Sequence, residues 1–282
     1  MKLTESRHIN SILIDILVYI ILGLGSFFML LPLLWMVSSS LKDMGSIFIF
    51  PPKWIPNPIQ WYNYIAIWQE APFLGYIENT AIITGICILG DVLSASIVAF
   101  GFARLKAPGS NMLFILVLST MMIPYYVTII PRYIMFKSWG WIDTFLPLTV
   151  PAFFGYPFFI FLLRQFFMTI PRELDDAARI DGCGSFGIYW KVIMPLSRTA
   201  LLTVGIFSFM ENWNDFMAPL IFLNSPEKYT IALGLNFFRG FHAAHWHYLM
   251  AASTVALLPC LALFFFAQRY FIQGIVTTGL KG

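Results

Sequence analysis

Between Pro171 and Gly182 the chain places Arg172, Glu173, Asp175, Asp176, Arg179 and Asp181, its densest run of charge, between two apolar runs. These residues form neither a nucleophile–base pair nor a metal-ligand spacing, so the chemistry they offer is recognition. Pro171 suits a first helical turn, where a missing N–H costs nothing. Glu173, Asp175 and Asp176 would then sit at the positive end of the helix dipole, and Gly182 is a natural stop. Leu174, Ala177, Ala178 and Asp181 fall at i, i+3, i+4 and i+7 and share one face. That face is mostly small and admits another backbone closely, while Asp175 and Arg179 can pair on its flank. Ser185 offers an N-cap for a second short helix bearing Phe186, Tyr189, Trp190 and Ile193, which Pro195 disrupts. The segment 169–198 therefore reads as a two-helix knob that docks on a partner. The competing reading is a solvated loop lying on a lipid surface.

A second polar set lies inside apolar runs. Asp91 stands near the middle of one, where an unpaired charge costs about 2.5–3.5 kcal/mol, so it must face protein or a water-filled cavity. Its alternatives are a group on a pathway and an interhelical hydrogen bond, and Ser94, Ala95, Ser96 and Ala99 beside it suit close helix packing. Glu211, Asn212, Asn214 and Asp215 supply donors and acceptors near the end of another run. A further run holds Pro147, Pro151, Gly155 and Pro157, whose kinks are tolerated beside protein or a cavity. Its Tyr156 and neighbouring phenylalanines either stack on a cargo or pack on each other.

Catalytic patterns are missing. There is no G-x-x-x-x-G-K-[ST] phosphate loop, G-x-S-x-G elbow or H-E-x-x-H pair, so no enzyme activity or bound cofactor is expected in this chain. His242, His245 and His247 resemble a metal site at first sight, and a zinc-dependent membrane enzyme is the remotest reading. Interfacial or docking roles suit these residues better. Cys87, Cys183 and Cys260 lie far apart, without paired spacing.

These groups are carried by a chain of 282 residues, 59% hydrophobic, 18% aromatic and only 11% charged. Soluble domains carry about 25% charged residues, so a water-soluble globule is excluded. The apolar runs approach the roughly 20 residues that cross a bilayer. An all-α integral membrane protein follows, because each helix satisfies its own backbone in lipid. Six helices are expected near 12–37, 77–103, 112–131, 145–168, 199–222 and 248–270. The first run is too long for a signal-peptide core and reads as a retained span.

With the N-terminus inside, one side holds Lys2, Arg7, Arg104, Lys106, Arg164, Arg172, Arg179, Lys191, Arg198, Arg269 and Lys281. The other holds Lys42, Lys53, Arg132, Lys137, Lys228 and Arg239. The excess places both termini and the knob, between the fourth and fifth helices, in the cytosol. Outer loops fall near 42–71 and 223–247, and 1–282 reads as one transmembrane domain with no internal repeat and no nucleic-acid partner.

At the knob the spacing becomes specific. Asp176-Ala177-Ala178, three residues, Gly182, nine residues, then Val192-Ile-Met-Pro195 resembles the EAA motif of bacterial ABC importer permeases, with Asp for the leading Glu. Asn79-Thr80, Ala103-Arg104 through Gly109, Met122-Ile-Pro124, Trp213-Asn-Asp-Phe216 and Gln268 through Phe271 are similar to the carbohydrate-uptake branch, in particular the smaller permease of maltose-type importers. The resemblance covers nearly the whole chain. It implies a bacterial or archaeal cytoplasmic membrane, a second related permease, two ATPase subunits holding ATP and Mg, and an extracytoplasmic sugar-binding protein. It implies ATPase coupling through Glu173, Asp176, Ala177, Ala178, Arg179, Asp181, Gly182 and Pro195, and a C-terminal tail from Thr277 reaching the ATPases. By position it also implies a binding-protein contact at Asn236, Phe237, Phe238 and Arg239. The expected function is half of an ATP-driven carbohydrate pathway; the rival is an ion-coupled secondary transporter using Asp91 and Glu211.

Overall fold

The computed structural model describes the backbone of residues 2–239 and 245–279 and the side chains of 14–239 and 245–268. Among the described residues it is all-helical. In chain order the helices are α1 (Lys2–Ser40), α2 (Asn63–Glu70), α3 (Phe73–Arg104), α4 (Ser110–Ser119), α5 (Tyr125–Ser138), α6 (Leu146–Thr149), α7 (Pro157–Thr169), α8 (Glu173–Ile180), α9 (Ser185–Ile188), α10 (Met194–Leu196), α11 (Arg198–Trp213), α12 (Met217–Phe222), α13 (Ile231–Gly234) and α14 (Trp246–Gly279). Four helical stretches are long and apolar enough to cross a membrane, Ile14–Ser40, Phe73–Arg104, Leu146–Thr169 and Trp246–Gln268, and two bent pairs raise the number to as many as six.

The chain divides into two compact units, 1–71 with 238–255, and 72–237 with 256–282. In the first unit, Asn63 donates from Nδ2 to the carbonyls of Ser40 and Lys42, at 2.8 and 2.9 Å, tying α2 to the end of α1. Lys42, counted from the sequence among the outer charges, is buried with its ammonium 3.9 Å from the Trp35 ring centre. Burial lowers its pKa.

In the second unit α3 packs against α7 and α11. Its small face is what allows this: Ala95, Ser96 and Ala99 are fully buried, and Ser94 donates from Oγ to the Ala152 carbonyl at 2.9 Å. Phe159, Leu163 and Phe167 of α7, Ile188 and Ile193 of the knob and Val204 of α11 complete this core. Because lipid is as apolar as these side chains, van der Waals packing and close backbone approach, rather than withdrawal from water, hold the helices together.

Two expected elements differ in the structure, and a third breaks where its residues suggest. The third apolar run is not one straight helix: Ser110–Met122 and Tyr125–Ser138 meet at 94°. Pro124 lacks an N–H and drives Ile123 into an extended conformation, ψ 114°, which ends the first piece. The fifth run stops at Trp213 rather than continuing to 222, and a turn over Asn214–Phe216 precedes α12. Asn and Asp compete with the helix by bonding backbone locally; here Asp215 Oδ1 accepts from the Ala218 N–H at 3.2 Å. The fourth run breaks as its prolines and glycine suggested, at Gly155, with φ +81°.

The loop preceding α6 is held by a clamp that sequence reading missed. Asp143 Oδ1 accepts from the N–H groups of Asn224 and Ser225, and Oδ2 accepts from Ser225 Oγ at 2.6 Å and Lys228 Nζ at 3.0 Å. Asp143 stands at φ 61°, a conformation Asp tolerates better than most residues. The Ser225 hydroxyl and the two backbone amides, followed by Lys228, hold its carboxyl well below the usual carboxylate range. A depressed folded pKa means the stabilisation is complete above the unfolded value of about 4 and is lost as pH falls through the lower folded value. Hydrogen exchange of the Asn224 and Ser225 amides is therefore expected to stay slow at neutral pH and accelerate only in strong acid, whereas Asp143→Ala exchanges fast throughout.

Candidate functional site

The expected knob is present, in modified form. Helix α8 begins at Glu173 with Arg172 as its N-cap, so Pro171 lies just before the helix rather than in its first turn. It ends as the glycine predicts: Gly182, φ +83°, donates to the Arg179 carbonyl and Cys183 to that of Ala178, the paired bonds of a Schellman stop. Gly184, not Ser185, is the N-cap of α9. Pro195 does not end that segment. Tyr189–Ile193 form a π turn, with the Met194 N–H bonded to the Tyr189 carbonyl, and the helix runs on through Pro195 to Leu196. A π turn widens the backbone where a proline ring would otherwise strike the preceding turn. The knob then meets α11 at 79°.

The two faces of α8 differ from the expected division. Asp175 does not pair with Arg179. It is buried and lies 3.4 Å from Arg104 Nη1 at the end of α3, and Arg104 Nη2 donates to the Ile170 carbonyl at 2.8 Å. Arg179 instead pairs with Asp176, 3.6 Å away and exposed. Ala178 points inward with Asp175 and joins the core. Glu173, Asp176, Ala177, Ile180 and Asp181 are exposed, as are Leu174 and Pro195. Tyr189 fixes the second helix to α3, sharing a 2.8 Å hydrogen bond with Ser96 Oγ and setting its ring edge-on to Phe100.

A separate cavity of about 650 Å³ gathers most of the polar residues singled out within apolar runs: Asp91, Tyr156, Glu211, Asn212 and Asp215 all line it. Asn214 does not; from the turn after α11 its Nδ2 donates back to the Met210 carbonyl of that helix. Asp91 makes the interhelical hydrogen bond, accepting from Ser208 at Oδ2 at 2.7 Å, and also borders the cavity. Asn212 donates to the Ser208 carbonyl at 2.8 Å, extending that network. Tyr125, Tyr126 and Arg132 also line the cavity and were not anticipated. Their signal was Pro124, which swings α5 aside; Arg132 lies 5.2 Å from the Tyr125 ring centre. The lining offers carboxylates, an amide, phenols and one guanidinium, enough to bond a polyhydroxylated molecule and stack on its rings.

Because interhelical hydrogen bonds in membranes contribute only about 0.6 kcal/mol on average, Asp91→Asn, which can still accept from Ser208, is expected to assemble and transport normally. Vesicle uptake by the assembled complex checks this; loss of uptake with intact assembly would assign Asp91 to the pathway.

The outer segment 235–239 forms a 3-10 turn in which Phe238 is buried, edge-on to Tyr248, while Phe237 and Arg239 are exposed. Of the histidine set, His242 lies outside the described residues. His245 stacks on Tyr248, and His247 packs against the same ring. Among the described residues no group of three or more His, Cys, Asp or Glu side chains is placed to hold a metal.

The profile of one family, described as binding-protein-dependent transport system inner membrane component, matches residues 91–277. The chain belongs to that family. It is 33% identical over 256 residues to the probable ABC transporter permease protein YurM of Bacillus subtilis, covering 89% of this chain and 83% of that one. It is 32% identical to the arabinooligosaccharides transport system permease protein AraQ of Halalkalibacterium halodurans, with coverages of 87% and 86%. It is 30% identical to the sn-glycerol-3-phosphate transport system permease protein UgpE of Yersinia enterocolitica, with coverages of 93% and 96%. In fold it matches a chain from the crystal structure of a bacterial ABC transporter that imports the acidic polysaccharide alginate, at a TM-score of 0.82 and 20% identity over 92% of this chain and 96% of that one. This transport permease therefore has an ABC-permease fold, and the cavity and the two-faced α8 are its two candidate sites.

Proposed function

We infer that the permease spans the membrane six times with both termini in the cytosol and forms half of a pathway for an oligosaccharide. A second, related permease completes the pathway, a binding protein delivers the cargo from outside, and a pair of ATPase subunits drives the cycle. ATP and Mg are held by those subunits and not by this chain. The observation that carries this reading is α8. One face is locked to α3 through Asp175–Arg104, and the opposite face presents Asp176, Ala177 and Ile180 to solvent. A helix anchored rigidly on one side and open on the other can pass a push from a docked subunit into α3, and α3 borders the cavity through Asp91.

In this reading Asp176 meets a basic group in an ATPase cleft and Ala177 provides close contact. Glu173, Arg179 and Asp181 flank the contact, and Gly182 sets the bend. Ala178 and Pro195 shape the knob from within and from its second helix. Phe237 and Arg239, with half-buried Asn236 beside them, are the outer residues that meet the binding protein. The carbohydrate assignment rests on the cavity lining and on the names of the relatives. Sealed vesicles containing the whole complex test the mechanism: uptake is expected to require internal ATP and the binding protein. Uptake that follows an ion gradient without ATP would contradict it.

A further inference from the structure

A second cavity, of about 560 Å³, opens where α3, α4 and α7 end or begin, away from the candidate pathway. Lys106, Arg164 and Arg172 line it, and its lining contains no carboxylate. Among the described residues none of the three cations forms an ion pair. Arg164 is the only one of the three that is not exposed. Its guanidinium lies 4.1 Å from the Phe114 ring centre, and its Nε is buried with no acceptor. Stacking on one face holds the guanidinium plane while its edge donors stay free for an anion. Ser110, in the first turn of the ten-residue α4, also lines the cavity, so the positive end of that helix adds to the field. Three cations beside a helix N-terminus, with an orphaned donor among them, form a pocket suited to a negative ligand.

We propose that this cavity binds the phosphate headgroup of an anionic phospholipid from the cytosolic leaflet. The choice of a lipid over a soluble anion comes from the rim. Met168 lines the cavity and is exposed, as are Leu105 of the lining and Met112 and Leu113 on the next residues of α4. An apolar border beside a basic pocket at the end of spanning helices fits acyl chains and headgroup together. The proposal rests on the cytosolic placement inferred above for this end of the bundle. Its consequence is regulatory, because Arg172 is both a wall of the cavity and the N-cap of α8. An occupied headgroup site fixes the residue from which the coupling helix starts.

The test uses the assembled complex in bilayers of phosphatidylcholine with or without phosphatidylglycerol. Native mass spectrometry counts retained lipid, and acylation of the exposed Lys106 amine reports occupancy. Phosphatidylglycerol is expected to be retained and to protect Lys106. Arg164→Gln is expected to weaken retention about fivefold, and the surface pair Lys106→Gln with Arg172→Gln by more, following the contribution of each basic residue to anionic-lipid binding. Arg164→Lys should retain most of it. The surface pair keeps the test valid if Arg164→Gln does not fold. Equal retention by wild type and all variants would overturn the proposal. So would protection of Lys106 in phosphatidylcholine alone by inorganic phosphate, which would identify a soluble anion, or by the ATPase subunits alone, which would identify a protein contact. Lipid retention is read whether or not cargo moves, so its failure is distinct from failure of the transport reading.

Discussion

Arg104→Ala is expected to destabilise the permease by about 3–5 kcal/mol, because it leaves Asp175 buried without its countercharge. The Arg104 side chain is 2% exposed and that of Asp175 8%, so water cannot take over the missing role. The variant also frees the Ile170 carbonyl, to which Arg104 donates. Asp175→Ala is expected to cost a similar amount, and the double variant less than the sum of the two, since neither charge is then stranded. Denaturant titration of the purified chain in detergent micelles gives the three values. Strict additivity would mean that the pair contributes nothing of its own. The same variants are expected to loosen α8 from α3, so ATPase stimulation should fall in whatever fraction still assembles.

Asp176→Lys is expected to act in the opposite way, with little effect on folding and a large effect on coupling. Its partner within the chain, Arg179, is an exposed i, i+3 neighbour 3.6 Å away. Such pairs contribute only about 0.2–0.5 kcal/mol. A charge facing a complementary group in a protein cleft is different: removing one partner costs about 2–5 kcal/mol, roughly thirtyfold or more in affinity. Binding of the ATPase subunits to the membrane-embedded permease should therefore weaken by at least that factor, with insertion and thermal stability unchanged. Unaltered affinity and stimulated ATPase activity would remove Asp176 from the interface.

The contrast between these two acids marks how far the sequence is legible. Local spacing reveals the knob, its acidic first turn and its Gly182 stop, because these are consequences of residues within one or two turns. It does not reveal that Asp175 is the inward acid and Asp176 the outward one. That distinction depends on Arg104, a contact between residues far apart in the chain that no local periodicity encodes. Ala178 was misplaced for the same reason: the small face of α8 was visible, but the helix uses part of it to pack on its own core. Pro195 disrupts an α-helix, but the π turn at Tyr189–Ile193 accommodates it, a geometry that local spacing does not encode. The cavity was half legible. Asp91, Glu211, Asn212 and Asp215 stand out as polar groups in apolar runs, whereas Arg132, Tyr125 and Tyr126 enter only through the bend at Pro124. Asp143 carried no signal at all, since its partners lie on a distant loop.

The central claim, that the outward face of α8 is where the ATPases hold the permease, is tested most directly by cross-linking from Ala177→Cys. The chain's own cysteines are first replaced by serine, and the full complex is treated with a short bifunctional maleimide in the membrane. The account predicts an adduct between position 177 and an ATPase subunit whose yield changes when ATP is added. It also predicts no adduct from Ala178→Cys, whose side chain is turned into the core. Absence of an adduct from Ala177→Cys, together with unhindered labelling by a water-soluble maleimide in the assembled complex, would contradict it.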